Sequence, residues 1–304
     1  MSDPGANLAA RPRVRPLGFL QPTHERAVRA LKALKEKRLA DAAGHIAALP
    51  DSPLIECAWK SLLAGLSAIE RLDFATAETV LREAAEVASR DQTSSELSEQ
   101  AVRARLSATA LEKIGWLRRR RDHAQQAYTV HLEAYRLREA WGSAEELWET
   151  AISLGQDARV ARRIEEAQTW FEKAVVHAGV ADLEACRLRA VAYAQLAAVL
   201  TDRGRHEQAV DAARSALAQW RQHDPGGVDT ARALMELSHA LLKRGEALVE
   251  CGDPCAPAVL EELLKGLQAA HEELSAFGPT CFAEVQSCLA LQDFARRLLA
   301  VTES

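Results

Sequence analysis

Four cysteines and a histidine near the C-terminal end are the residues whose chemistry is easiest to name, because thiolate and imidazole groups bind zinc. They are Cys251, Cys255, Cys281, Cys288 and His271. Three residues separate the first two cysteines and six separate the last two, which is not the spacing of a zinc finger or ribbon. We therefore predict thiols that are buried or incidental, predict no cofactor, and keep a zinc- or thiol-dependent site as the lesser alternative.

Patterns that carry catalysis are absent from the sequence. The remaining histidines are scattered singly, and none accompanies a serine or cysteine in a recognisable nucleophilic arrangement. There is no glycine-rich phosphate loop, paired-carboxylate motif or metalloprotease signature. We therefore expect a protein that is not an enzyme.

The densest charge in the chain is the run Arg118 to Arg121, which raises the question of nucleic acid. Four consecutive helical residues point around the whole circumference, so only one or two of them can face a common phosphate backbone. Trp116 is the one aromatic residue interleaved with this run, and the net charge of the chain is -5. Compensation of the helix dipole explains the run at least as well, and nucleic acid is not the expected partner.

The composition is that of a helical protein. Hydrophobic residues make up 48% of the 304 residues and aromatic residues 5%, and Ala and Leu carry most of the apolar content. No apolar run approaches the ~20 residues of a membrane span. Residues 1–22 contain arginines among prolines without the apolar centre of a signal peptide, which predicts a flexible tail. A soluble protein of the reducing cytoplasm is expected, with no membrane contact.

A helical repeat supplies the elements that would position any binding residue. In the second helix of each repeat, an Ala is followed four residues later by a large residue or Ala, and three residues after that by another Ala. A Gly or Ala on the first helix of the repeat precedes this group. Small residues of this kind let two antiparallel helices approach closely. The second-helix group occurs at Ala77, Leu81 and Ala84, at Ala127, His131 and Ala134, at Ala167, Phe171 and Ala174, and at Ala209, Ala213 and Ala216. His131 occupies a place where a large apolar residue is usual, which leaves the register of that copy open.

This pattern resembles the tetratricopeptide repeat, with Gly or Ala at the eighth position and Ala at the twentieth and twenty-seventh. The first alanines of the four groups lie 50, 40 and 42 residues apart, so the helices must be longer than those of a strict 34-residue repeat. The resemblance implies an all-α fold. We expect a right-handed, tetratricopeptide-like α-solenoid of about six antiparallel helix pairs over residues 23–304, closed by a C-terminal capping helix.

The resemblance also implies a concave groove lined by the first helix of each pair, where such proteins bind extended peptides or helices. In the register above, this wall changes from apolar through basic to acidic, with Asp202, Glu246 and Glu250 at its acidic end. The predicted partner is a protein or peptide with an apolar end and an acidic middle. The predicted contact residues are Leu62, Leu66, Ile69, Trp116, Arg119, Arg120, Gln156 and Arg159.

Two functions remain open from the sequence. The first is a non-catalytic adaptor or scaffold that holds a protein or peptide in the groove. The alternative is a regulatory sensor of the same fold, in which a peptide or small ligand changes the conformation and so switches a partner. The absence of an appended DNA-binding, kinase or protease motif favours the adaptor.

The zinc alternative has a direct test. We expect the purified protein to carry less than one zinc per chain by elemental analysis and to keep its melting temperature in chelator. The reason is that structural zinc contributes directly to folding free energy, so its removal would lower stability. One tightly held zinc per chain, lost together with stability, would reverse this ranking.

Overall fold

The computed structural model describes residues 25–49, 54–89, 97–179 and 185–302. The tail predicted over 1–22 lies outside these residues, and so do the breaks predicted at 50–53 and 91–95. Within the described ranges the regular structure is α-helical, apart from a short 3-10 helix at Gly278–Cys281, and contains no strand. None of the described helices is both long enough and apolar enough to cross a bilayer.

The chain divides into two compact units, with the boundary between Ser143 and Ala144. The first unit is built from three helix pairs, in which each helix packs against the next. Its helices are α1 (Glu25–Lys35), α2 (Leu39–Ala47), α3 (Leu54–Glu70), α4 (Phe74–Ser89), α5 (Leu97–Arg120) and α6 (Ala124–Trp141).

The second unit contains three further pairs and a last helix that packs on α12. Its helices are α7 (Ala144–Val160), α8 (Ile164–Ala178), α9 (Ala185–Asp202), α10 (His206–His223), α11 (Val228–Cys251), α12 (Ala256–Ala276) and α13 (Phe282–Thr302). Six antiparallel pairs and a terminal helix were expected, and the described helices confirm them. The loop predicted at 223–227 separates α10 from α11, while a single continuous domain over 23–304 stays a prediction.

Four of the six described pairs close where a glycine on the first helix meets a larger residue on the second. A Cβ built on Gly155 would lie 2.4 Å from the ring of Phe171, a fully buried side chain. Gly65 stands in the same relation to Leu81, at 2.6 Å. The absence of a side chain at these glycines therefore sets how closely the two helices approach. The repeating contacts are Gly65 with Leu81, Gly115 with His131, Gly155 with Phe171 and Gly245 with Leu260.

His131 occupies the same place in its pair as Leu81 and Phe171 do in theirs, which settles the register that the sequence left open. Its ring covers Gly115, and its Nε2 lies 3.1 Å from the backbone oxygen of Glu112 and 3.6 Å from the Glu112 carboxylate. Arg138 Nη1 lies 3.4 Å from the other carboxylate oxygen. All three side chains are buried, so the α5–α6 interface contains a polar cluster.

The turns inside the pairs share one backbone design, the Schellman motif. At the α3–α4 turn the N–H of Asp73 donates to the carbonyl of Ala68, and the N–H of Leu72 donates to Ile69, both at 2.9 Å. The residue at the turn has a positive φ, which costs a non-glycine residue ~1–2 kcal/mol. Leu72 takes this conformation at a position where it is 74% exposed, so burial of its side chain does little to offset the cost. The equivalent residues are Lys37, Leu72, Asp122, Arg162, Gly204 and Gly252.

The glycine contact predicts the sign of two alanine substitutions. We expect Gly155→Ala to lower the free energy of unfolding by ~1–3 kcal/mol, because the new methyl group would overlap Phe171 in a core with no room. Gly44→Ala in α2 is the matched control, since a Cβ there meets nothing within 4 Å and helix propensity favours Ala by ~0.5–1 kcal/mol. Equal effects of the two changes in urea denaturation would contradict the proposed role of the contact.

Candidate partner-binding surfaces

The residues predicted on α3 differ in their access to a partner. Leu66 and Ile69 are partly exposed and pack against the core of the first unit. Leu62 is only 2% exposed and belongs to that core. Packing between neighbouring helices covers this side chain, which the repeat register alone assigns to the surface. The role of Leu62 as a contact residue stays a prediction.

The aromatic residue predicted on α5 lies in an aromatic and cationic group. Trp116 is partly exposed, and its ring meets Phe74 at the start of α4 edge-to-face, with centroids 6.3 Å apart and planes at 81°. The guanidinium carbon of Arg120 lies 5.1 Å from the centroid of the Trp116 ring. We call Phe74, Trp116 and Arg120 the Trp116 surface. The sequence analysis did not predict a role for Phe74, because its contact with Trp116 joins two successive helix pairs.

The arginine run beside this surface is largely engaged within the protein. Glu78 on α4 accepts from Arg118 Nε at 3.2 Å and from Arg121 Nη1 at 2.7 Å. Arg82 contacts the same carboxylate at 3.0 Å. Arg119 is partly buried and Arg120 is exposed. The run therefore joins α5 to the preceding pair, which is a structural role that neither the nucleic-acid nor the helix-dipole interpretation included.

In the second unit, two residues predicted at the groove pair with each other. Arg159 Nε, at the end of α7, donates to Asp202 Oδ2, at the end of α9, at 2.6 Å. Gln156 is partly exposed one turn earlier on α7. Glu246 on α11 accepts from Lys243 at 2.8 Å, and Glu250 is exposed. The contact between α7 and α9 places Arg159 and Asp202 on one surface, where their charges neutralise each other instead of presenting separate basic and acidic sections.

The cysteines do not form a cluster that could hold a metal. Cys281 and Cys288 are buried in the packing of the 3-10 helix and α13, whereas Cys251 and Cys255 are exposed. Burial raises the pKa of the Cys288 thiol, which disfavours the thiolate that metals bind. Across the residues that the structure describes, no three His, Cys, Asp or Glu side chains come together as a metal site. The expectation of no metal stays a prediction for the whole chain.

Comparison with solved structures identifies the architecture. No protein-family model and no curated protein sequence matches the chain. BtubC from P. vanneervenii is 17% identical, with a TM-score of 0.55 over 82% of this chain and 92% of that one. Kinesin light chain TPR-like repeats from Podosopora anserina are 10% identical, with a TM-score of 0.58 over 74% of this chain and 98% of that one. The fold is that of the tetratricopeptide-like solenoids.

A third solved structure has the same architecture over more of the chain. The apo form of RapI is 9% identical, with a TM-score of 0.57 over 92% of this chain and 99% of that one. Identities this low show the shared fold alone, because one fold hosts many functions. The tetratricopeptide resemblance read from the glycine and alanine spacing is thus confirmed, and function has to be argued from the surfaces.

The Glu78 contacts lead to a stability prediction. We expect Glu78→Gln to lower the free energy of unfolding by about 1–2 kcal/mol, because a partly buried carboxylate that accepts from several arginines is replaced by a neutral amide. Glu83→Gln on the same helix is the control, since Glu83 is exposed. Denaturation at low and high salt measures both variants. A loss for Glu83→Gln as large as that for Glu78→Gln would show that only the net charge of α4 matters.

Proposed function

We propose that the protein is a non-catalytic adaptor that binds a segment of another protein on the Trp116 surface of its first unit. The observation that carries this proposal is a partly exposed tryptophan, backed by one aromatic ring and covered by an exposed arginine. Tryptophan and arginine are the side chains most enriched among the residues that dominate binding energy at protein interfaces.

The chemistry of the surface defines the segment that would fit. The Trp116 and Phe74 rings offer apolar area that an aliphatic or aromatic side chain can cover. Stacking on Trp116 restrains the Arg120 guanidinium while leaving its charge exposed, so less conformational entropy is lost when it binds a carboxylate. The segment we propose therefore carries an apolar side chain next to Asp or Glu.

Peptide binding is a common use of tetratricopeptide-like folds, which supports this choice of partner. One solved structure of similar fold is a Rap protein complexed with competence and sporulation factor; it is 13% identical, with a TM-score of 0.51 over 98% of this chain and 81% of that one. That complex also favours the second candidate, a sensor whose conformation responds to a peptide. We prefer the adaptor because binding at the Trp116 surface requires no change in the conformation of the protein.

The test is a selection that does not require the natural partner to be known. A displayed library of random peptides is selected on the intact protein, and the enriched peptides are measured by calorimetry on the wild type and on variants. We expect enriched peptides to contain an apolar residue beside Asp or Glu. Arg120→Glu and Trp116→Ala should each weaken their binding by about thirtyfold, since losing a dominant contact costs ~2 kcal/mol.

The control is a charge reversal elsewhere in the same unit. Arg136→Glu on α6 changes the net charge equally at another exposed arginine and should alter binding less than twofold. Arg214 on α10 would be an unsuitable control, because it bonds Glu262 on α12 at 2.7 Å. Helix content and melting temperature of Arg120→Glu should stay close to the wild type. Equal weakening by Arg120→Glu and Arg136→Glu would reduce the effect to general electrostatics and refute the site.

The same peptides separate the adaptor from the sensor. An adaptor keeps its radius of gyration when saturated with peptide, whereas a sensor changes it, and small-angle scattering measures this directly. Binding at the Trp116 surface with an altered radius of gyration would support the sensor over the adaptor.

A further inference from the structure

A groove with a volume of about 430 Å³ runs between α12 and α13 in the second unit. Its apolar part is formed by Leu264 and Ala269 of α12, which are both partly exposed. Its polar part is formed by amide and charged side chains from both helices. The volume is within the range of ligand-binding sites, so the polar groups of the groove indicate what it can bind.

The centre of the groove contains a chain of hydrogen bonds whose direction is fixed. Gln268 Nε2 donates to Glu272 Oε1 at 2.7 Å, and Gln292 Nε2 donates to Gln268 Oε1 at 3.2 Å. An ionised carboxylate can only accept, so Glu272 sets the orientation of both amides. The chain therefore ends in the side-chain oxygen of Gln292, which accepts no hydrogen bond from the residues that the structure describes.

This oxygen is the feature that points to a ligand. Gln292 is only 4% exposed, yet its side chain lines the groove. An acceptor on a buried side chain destabilises the fold if it has no donor, so such groups in folded proteins call for an explanation. Water can meet this oxygen in the free protein, and an N–H group of a bound molecule can replace that water.

Two cations lie about one helical turn from this oxygen. The hydrogen bond between Gln268 and Gln292 fixes the register of α12 and α13, which are consecutive antiparallel helices. Lys265 lies about one turn before Gln268 on α12. Arg296 lies about one turn after Gln292 on α13, so the two cations are at the same level on opposite sides of the groove.

The charges of the groove are separated along its length. Lys265 and Arg296 are both exposed, and neither has an ion-pair partner among the described residues. Glu272 lies about one turn from Gln268 in the opposite direction. One end of the groove is therefore basic, its centre is an amide acceptor, and its other end is acidic.

We propose that this groove binds an extended segment of another protein that contains a glutamate. The glutamate carboxylate lies between Lys265 and Arg296, and the backbone N–H of the same residue donates to Gln292 Oε1. A glutamate side chain holds its carboxylate ~5 Å from its own backbone nitrogen, which matches the one helical turn between the cations and this oxygen. Aliphatic side chains of the segment cover Leu264 and Ala269.

The open side of the groove favours a segment over a small molecule. Lys265, Gln268, Glu272 and Arg296 are all exposed, whereas small-molecule sites bury most of their ligand. Alternate N–H groups of an extended segment are ~6.6 Å apart, close to the ~6 Å between Gln268 and Glu272 along α12, so a second N–H can reach the acidic end. The groove lies in the second unit and is separate from the Trp116 surface. This proposal therefore does not depend on the proposed function.

Titration of the isotope-labelled full chain, followed by nuclear magnetic resonance, tests the site with the blocked peptide acetyl-Leu-Gly-Glu-Gly-Leu-amide. The peptide is added up to about 10 mM, because a contact smaller than a standard interface binds weakly. We expect the side-chain amide signals of Gln268 and Gln292 to shift. The same peptide with glutamine in place of glutamate should bind about tenfold more weakly, since charge-assisted hydrogen bonds to two cations are lost.

A peptide methylated at the glutamate nitrogen tests the acceptor without changing the protein. It keeps the carboxylate but cannot donate to Gln292 Oε1, so it should bind about fivefold more weakly than the unmethylated peptide. This arm replaces a variant of Gln292, whose burial would make a loss of binding hard to separate from a loss of folding.

Two variants test the cations. Lys265→Gln and Arg296→Gln should each weaken binding of the glutamate peptide about fivefold, and the double variant should no longer prefer glutamate over glutamine. Both side chains are exposed, so the melting temperature should stay unchanged. Arg221→Gln on α10 is the matched control, because Arg221 is an exposed arginine of the same unit outside the groove. Its effect should stay below about twofold, since distant exposed charges are screened by salt.

Four results would overturn the proposal. The first is a titration without shifts in α12 and α13, including one whose shifts are confined to the Trp116 surface. The second is equal binding of the glutamate and glutamine peptides, or equal weakening by Arg221→Gln and the two groove variants. The third is full binding of the methylated peptide. The fourth is binding of free acetylglutamate as tight as that of the peptide, which would make the groove a site for a small anion.

Discussion

The close contact between a small residue on one helix and a larger side chain on the next is the constraint on which both units depend. It recurs in four pairs, from Gly65 with Leu81 to Gly245 with Leu260, and it fixes the separation and phase of the two helices in each of them. Because close-packed interiors do not deform gradually, a pair whose separation is fixed presents its outer residues at fixed places. The Trp116 surface is an example, since the side chains that form it come from two successive pairs, α3–α4 and α5–α6.

The fold could be predicted from the sequence because this contact between a small and a large residue produces a local sequence pattern. Gly and Ala at regular spacing, with a large residue between two alanines, are visible within about forty residues. Contacts between pairs leave no such signal. Glu78 lies forty residues before Arg118, and no pattern in the chain marks it as the acceptor for three arginines. The burial of Leu62 and the pairing of Arg159 with Asp202 have the same origin, because each depends on a neighbouring pair whose placement is not encoded locally.

The residues that take a positive φ at the turns could be predicted from the sequence only in part. Glycine marks the left-handed residue at Gly204 and Gly252, but leucine, lysine, aspartate and arginine take the same conformation at the other four turns within the described residues. Helix ends at those turns are fixed by two backbone hydrogen bonds and by packing of the pair, which together outweigh the conformational cost. Residue propensity therefore predicts such a turn only where glycine takes the positive φ without a conformational cost.

The buried polar cluster of Glu112, His131 and Arg138 has a consequence for how the chain finds its own pairing. Four of the described pairs share the small–large contact, so the second helix of one pair resembles in shape the second helix of another. Repeat proteins misassemble through exchanges of this kind. Within the first unit the α5 helix is distinct, because its buried Glu112 is matched by His131 and Arg138 of α6. An uncompensated buried carboxylate costs several kcal/mol, whereas a shape mismatch in an alanine-rich interface costs less. The cluster thus distinguishes the α5–α6 pair from the other pairs of the first unit, and it favours the pairing of α5 with α6 over pairing with another second helix.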